Sequence, residues 1–155
     1  MDDSWQPPKR LNKNPFADRY VGAIQAVNQE TTMTKNVLIV DDSATMRKII
    51  MRGIRQAGID NAEFQEAGDG LQGLEAVAGA TFDLILSDVN MPNMNGLDFV
   101  KEVTAKLENP PPIVMITTEG SEEVISEAIS RGANGYLKKP FTPEKIQEIL
   151  GPFLA

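Results

Sequence analysis

The chain contains no cysteine and no histidine among its 155 residues. Without cysteine there is no disulfide framework and no thiolate chemistry. Without histidine there is no Ser-His or Cys-His nucleophile and no soft zinc site. No apolar run approaches the roughly 18 residues that a membrane-spanning helix needs, so no membrane insertion is expected. The first residues are polar and carry Pro7 and Pro8, unlike a secretory signal, and a cytoplasmic location is expected. Basic residues are also in the minority: 15 Lys and Arg stand against 22 Asp and Glu, a net charge of -7. That balance argues against a nucleic-acid partner. A hydrophobic content of 41% suits one globular domain with a full core. What remains for chemistry is carboxylates, lysine, hydroxyls and a hard cation.

Residues 1–34 read differently from the rest. Met1 to Lys13 holds both early prolines and the only tryptophan, Trp5, and reads as mobile. Asn14-Pro15 resembles a helix cap followed by proline at the first helical position. Behind it Phe16, Tyr20, Ala23, Ile24 and Val27 fall on one face, a candidate amphipathic helix over 15–29 that Gly22 weakens. A helix of that length is marginal alone and needs a surface to pack on. The segment therefore reads as either a disordered extension or a docking helix.

From residue 35 to 155, apolar runs alternate with helical periodicity. Asn36–Val40, Phe82–Ser87 and Ile113–Ile116 read as buried strands; Ala62–Ala67 reads as a weaker strand near an edge, and Asn134–Lys138 as the fifth. Between them the spacing predicts a helix to about Ala57 with Met46, Ile49, Ile50, Ile54 and Ala57 inward. A second, over Leu71–Ala78, turns Leu71, Leu74 and Ala78 inward, and a third runs from Gly96 to about Leu107 with Leu97, Val100, Val103 and Leu107 inward. Ser121 caps a fourth helix ending near Arg131-Gly132, and Thr142-Pro143 starts a fifth ending near Gly151. Five βα units imply an α/β fold, a doubly wound five-stranded parallel sheet with helices on both faces. The flavodoxin-like order 2-1-3-4-5 is taken over from known doubly wound folds rather than derived.

In that order the ends of strands one and three flank the point where the winding reverses, which is where ligands bind. Asp41, Asp42 and Asp88 converge there, with Thr117 after strand four and Lys139 after strand five. Each residue alone has a plainer reading: Asp88 in a turn, Asp41-Asp42-Ser43 as a helix cap, Thr117 as a strand-end hydroxyl, Lys139 as a solvated charge. Together they meet the needs of one chemistry. Three close carboxylates require a counter-charge, met by Lys139 and a divalent cation with oxygen ligands, most simply Mg²⁺. One carboxylate can then attack phosphorus, while cation, ammonium and hydroxyl neutralise the phosphoryl oxygens.

Val40-Asp41-Asp42-Ser43, Ser87-Asp88-Val89-Asn90-Met91-Pro92 with Gly96, Ile116-Thr117-Thr118 and Lys138-Lys139-Pro140-Phe141 resemble the motifs of response-regulator receiver domains. The likeness covers residues 35–153 and is strongest to the chemotaxis regulators of that family. It implies that Asp88 takes phosphate from a histidine kinase supplied in trans. Asp42, Asp88 and the Asn90 carbonyl would hold Mg²⁺, Asp41 would help through water, and Lys139 would pair with the phosphate. It further implies that Thr117 and Tyr136 relay the switch to the face of helix four, strand five and helix five. Asn90 and Glu119 would tune dephosphorylation. The implied target is a downstream protein in chemotaxis or motility signalling, a flagellar switch or a phosphatase.

One departure is the start of helix four, Gly120-Ser121-Glu122-Glu123, acidic where the chemotaxis relatives are basic; it suits a partner of different charge pattern. The extension is a second. The expected function is a single-domain, phosphorylation-switched regulator that is not a turnover enzyme. Its alternative is a phosphorelay carrier passing phosphate to a histidine phosphotransfer protein. A true phosphatase of this chemistry pairs the nucleophile with an acid two residues on, where this chain has Asn90. A flavodoxin-like cofactor binder lacks a phosphate-cradling loop after strand one.

Overall fold

The computed structural model describes residues 33–118 and 120–155. The candidate helix over 15–29 and the residue Glu119 lie outside the described residues. Five βα units follow one another: β1 (Lys35–Val40), α1 (Ala44–Gln56), β2 (Ala62–Ala67), α2 (Gly70–Gly79), β3 (Leu84–Ser87), α3 (Gly96–Lys106), β4 (Ile113–Thr117), α4 (Glu122–Ser130), β5 (Gly135–Lys138) and α5 (Pro143–Leu154). All pairs are parallel, in the order β2-β1-β3-β4-β5. That is the expected 2-1-3-4-5. No helix among the described residues is long and apolar enough to cross a membrane.

The central strands are buried on both faces, so alternate residues feed two cores. Val37, Ile39, Leu84 and Leu86 pack with Ile50, Ile54 and Leu150 of α1 and α5. Leu38, Val40 and Ile85 pack with Phe99, Val100 and Val103 of α3 on the other side. Strand β2, at the edge, alternates over its first four residues instead, with Glu63 and Gln65 exposed.

Two helix faces depart from the spacing argument, and both departures trace to a glycine. Ile49 and Leu71, expected inward, are 39% and 48% exposed, and Ala78 is exposed as well. On α1 the buried line passes through Gly53, where a Cβ would stand 2.7 Å from Ile146 of α5. On α2 it passes through Gly73, where a Cβ would stand 2.7 Å from the ring of Phe99. Backbone therefore meets side chain at these crossings: Gly53 lies among the buried Ile50, Met51 and Ile54 of α1, and Gly73 is buried on α2. The last helix also runs past Gly151 to Leu154, with Pro152 inside it. Leu150 and Leu154 are buried and hold that final turn although Pro152 has no N–H to donate to the preceding turn.

Candidate functional site

The site lies where β1 and β3 end side by side. The ladder continues one residue past each strand: Asp41 N–H donates to the Ala67 carbonyl (3.0 Å), Asp88 N–H to Val40 (2.9 Å) and Lys139 N–H to Thr117 (2.9 Å). Backbone pairing thus sets the origin of each functional side chain. One ligand oxygen from each of Asp41, Asp42 and Asp88 lies within 4.8 Å of the others. Lys139 Nζ reaches between two of them, 3.1 Å from Asp41 Oδ2 and 3.4 Å from Asp88 Oδ2.

The three carboxylates are not equivalent. Asp41 is buried, and both its oxygens are engaged, Oδ1 by the Ser43 N–H (2.8 Å) and Oδ2 by Lys139. Asp42 is exposed and its side chain makes no hydrogen bond among the described residues. Asp88 is half-buried; its Oδ1 accepts the Val89 N–H at 2.7 Å. Burial raises the Asp88 pKa above the ordinary carboxylate value; Lys139 opposes the rise and the charge of Asp41 adds to it. One ammonium against three carboxylates leaves an excess of negative charge around hard oxygen donors, one of them open to solvent. That donor set fits a divalent cation such as Mg²⁺.

Thr117 is the last residue of β4, rather than the first beyond it, and is buried. Tyr136 on β5 is paired with Met115 and 42% exposed. Between Thr117 and Tyr136 runs a narrow apolar crevice lined also by Val89, Val124 and Ile129. Asn90 is exposed two residues beyond Asp88. The Lys139-Pro140 bond is cis. Beyond it a cleft of about 520 Å³ is lined by Tyr136, Lys138, Phe141, Lys145 and Ile149. Helix α4 is tied at its C-terminal end: Arg131 donates to Glu127 (2.6 Å) and to Asp98 of α3 (2.9 Å), and the Arg131 carbonyl accepts the Thr104 hydroxyl (3.1 Å). Its first turn, with Glu122 and Glu123, makes no such bridge among the described residues.

Several supporting residues escaped the sequence reading. The Arg47 guanidinium donates to the Asp41 carbonyl and to Glu66. The Ser87 hydroxyl donates to the Asp88 carbonyl at 2.9 Å. Gly96, read only as a helix start, also lies against Asp88: a Cβ there would collide with the Asp88 carbonyl. Asp69, just ahead of the helix expected over Leu71–Ala78, is buried and accepts from Asn93. The Arg47–Glu66 and Asp69–Asn93 contacts span 19 and 24 residues, and no spacing rule signals them.

Residues 37–151 match the family described as response regulator receiver domain. Chemotaxis protein CheY-3 of Vibrio cholerae is 43% identical over 124 residues, 78% of this chain and 94% of that protein. The solved structure of the chemotaxis response regulator CheY4 of Vibrio cholerae aligns with a TM-score of 0.68 at 40% identity, covering 79% of this chain and 100% of that one. The receiver domain of sensor histidine kinase PA1611 from Pseudomonas aeruginosa, solved with a magnesium ion coordinated in the active site cleft, aligns with a TM-score of 0.68 at 26% identity. That alignment covers 79% of this chain and 98% of the other.

Proposed function

The chain belongs to the response regulator receiver domain family, and from that premise we propose that it is a phosphorylation-switched binding protein. Asp88 accepts a phosphoryl group from a histidine kinase, and the modified domain changes its affinity for a downstream target. The carrying observation is the cluster itself: a half-buried Asp88 beside Asp41 and Asp42, with Lys139 reaching in from another strand.

An oxygen of Asp88 attacks phosphorus, the bond from phosphorus to the donor imidazole nitrogen breaks, and its electron pair leaves with the imidazole, which takes up a proton. An acyl phosphate remains on the chain. Asp42, Asp88 and the Asn90 carbonyl would hold Mg²⁺, with Asp41 acting through water, and the cation would neutralise charge on the phosphoryl oxygens; the magnesium ion in the PA1611 receiver domain supports this assignment. Lys139 transfers its ion pair from the carboxylates to the phosphoryl group, and the Thr117 hydroxyl turns to donate to it. Loss of the phosphoryl group is by attack of water, tuned by Asn90 and Glu119. No acid stands two residues after Asp88, so the chain modifies itself and does not turn over phosphomonoesters.

When Thr117 moves, the crevice beside it opens to Tyr136, and the face of α4, β5 and α5 changes shape. The added charge biases an equilibrium already present. That face mixes the Glu122 and Glu123 carboxylates with the Lys138 and Lys145 ammonium groups, so its partner carries both signs. The chemotaxis names of the relatives support a role in chemotaxis or motility signalling.

The test is incubation with Mg²⁺ and a small phosphodonor, followed by intact mass. Wild type gains one phosphate and Asp88→Asn gains none. An equal gain in both would contradict the assignment.

A further inference from the structure

Asp69 is a buried carboxylate that the phosphoryl chemistry leaves unused. It follows β2, caps α2, and is 5% exposed. Its two oxygens face different segments. Oδ1 accepts the Gln72 N–H at 2.9 Å, the ordinary work of a helix cap. Oδ2 accepts the side-chain amide of Asn93 at 2.7 Å, across 24 residues of sequence. The Gln72 and Asn93 bonds together draw the Asp69 pKa below its ordinary value and keep it charged.

Asn93 belongs to the loop that carries the chain from Asp88 to α3. Its φ is 68°, a left-handed conformation that asparagine adopts more readily than most residues but not by default. The next residue repeats the tie: Gly70 N–H donates to the Met94 carbonyl at 3.1 Å. A Cβ on Gly70 would stand 2.7 Å from that oxygen, so the approach is close. The loop's far end closes on its own start, Gly96 N–H to the Val89 carbonyl at 2.7 Å. The segment between contains Asn90.

Building on the reading of Asp88 as phosphoryl acceptor, we infer that Asp69 is a positioning residue for that reaction: by gripping Asn93 it holds the acceptor loop in the one shape that keeps the Asn90 backbone set beside Asp88. A hydrogen bond to a charged acceptor is stronger than a neutral one. A loop released from it spreads over other shapes, and the apparent affinity for a ligand of the competent shape falls with that shape's population.

The cap and the grip use different oxygens, so they can be separated. Asn93→Gly removes the grip, tolerates the left-handed conformation and leaves the cap intact. Asn93→Asp sets a carboxylate against Asp69, and adding Asp69→Asn to it restores one donor and one acceptor while keeping a good cap. Mg²⁺ affinity is read by calorimetric titration, phosphoryl uptake by intact mass over time, and folding by thermal melting. Asn93→Gly weakens Mg²⁺ binding and slows uptake by about tenfold, the scale typical of lost support behind a metal ligand, with its melt still cooperative. Asn93→Asp is impaired at least as much, and the exchanged pair recovers most of both. Mg²⁺ affinity and uptake of Asn93→Gly indistinguishable from wild type, or an exchanged pair no better than Asn93→Asp alone, would overturn the inference. A wild-type protein that gains no phosphate fails differently, since it removes the acceptor reading and the positioning role with it.

Discussion

The two flanks of the acidic pocket are built on opposite plans. On one flank, the loop between β3 and α3 is tied at Asn93, Met94 and Gly96, to α2 and to its own beginning. On the other flank, among the described residues, α4 is bridged only at its C-terminal end through Arg131. Its Ile129 and the neighbouring Tyr136 remain 46% and 42% exposed over an apolar crevice. The first flank is tied at several points along its loop, whereas α4 carries its side-chain bridges at one end among the described residues. Holding charges at fixed separation needs rigid support, because the interaction falls quickly with misplacement. Relaying a change needs an element with two arrangements of similar energy. In the proposed function one rim of one sheet would supply both, by varying how densely each side is tied down.

The largest expected effect breaks the tied flank. Gly96→Ala drives a methyl group into the Asp88 carbonyl and lowers stability by about 2–3 kcal/mol in urea unfolding, since only a backbone shift can relieve the clash. An unchanged midpoint would mean that this flank yields easily. Asp69→Ala comes next, at about 1–2 kcal/mol, through loss of a cap and of a buried partner. Its pH dependence has a defined sign. The Asp69 pKa is lowered from 3.8 in the folded state, first by the Gln72 N–H and then by Asn93. The stabilisation is therefore complete above the unfolded value and is lost as pH falls through the folded one, so the gap between wild type and variant starts to narrow near pH 3.8 and closes at lower pH. A gap that persists undiminished in acid would assign the effect to packing instead. The smallest effect on stability sharpens the contrast from the loose flank: Tyr136→Ala changes it by less than about 0.5 kcal/mol. The same variant should lose most of the phosphorylation-dependent difference in target capture, read by pull-down with and without phosphodonor.

Much of this was legible beforehand because buried parallel strands announce themselves. Val37–Val40, Leu84–Ser87 and Ile113–Thr117 are continuous apolar runs ended by polar residues, so both the sheet and its acidic rim could be read along the chain. Helix faces were less legible. Ile49 and Leu71 fit a 3.6-residue period yet face outward, because Gly53 and Gly73 mark the actual crossings with Ile146 and Phe99. Periodicity records which positions are apolar, not where a neighbour's side chain needs space. The same blindness hid Asp69 and Gly96: a cap and a helix start look complete as local features.

The order of residues alone determined the five βα units, the acids and the lysine at strand ends, and the exclusion of thiol and imidazole chemistry. Each of these depends on neighbours within a few positions or on composition. Only the tertiary structure decided which carboxylate is buried and which is open, that Lys139 lies between Asp41 and Asp88, and that Asp69 reaches the loop between β3 and α3. Those outcomes depend on distances between segments 24 to 98 residues apart, and such distances exist only once the sheet has brought its strand ends to one edge.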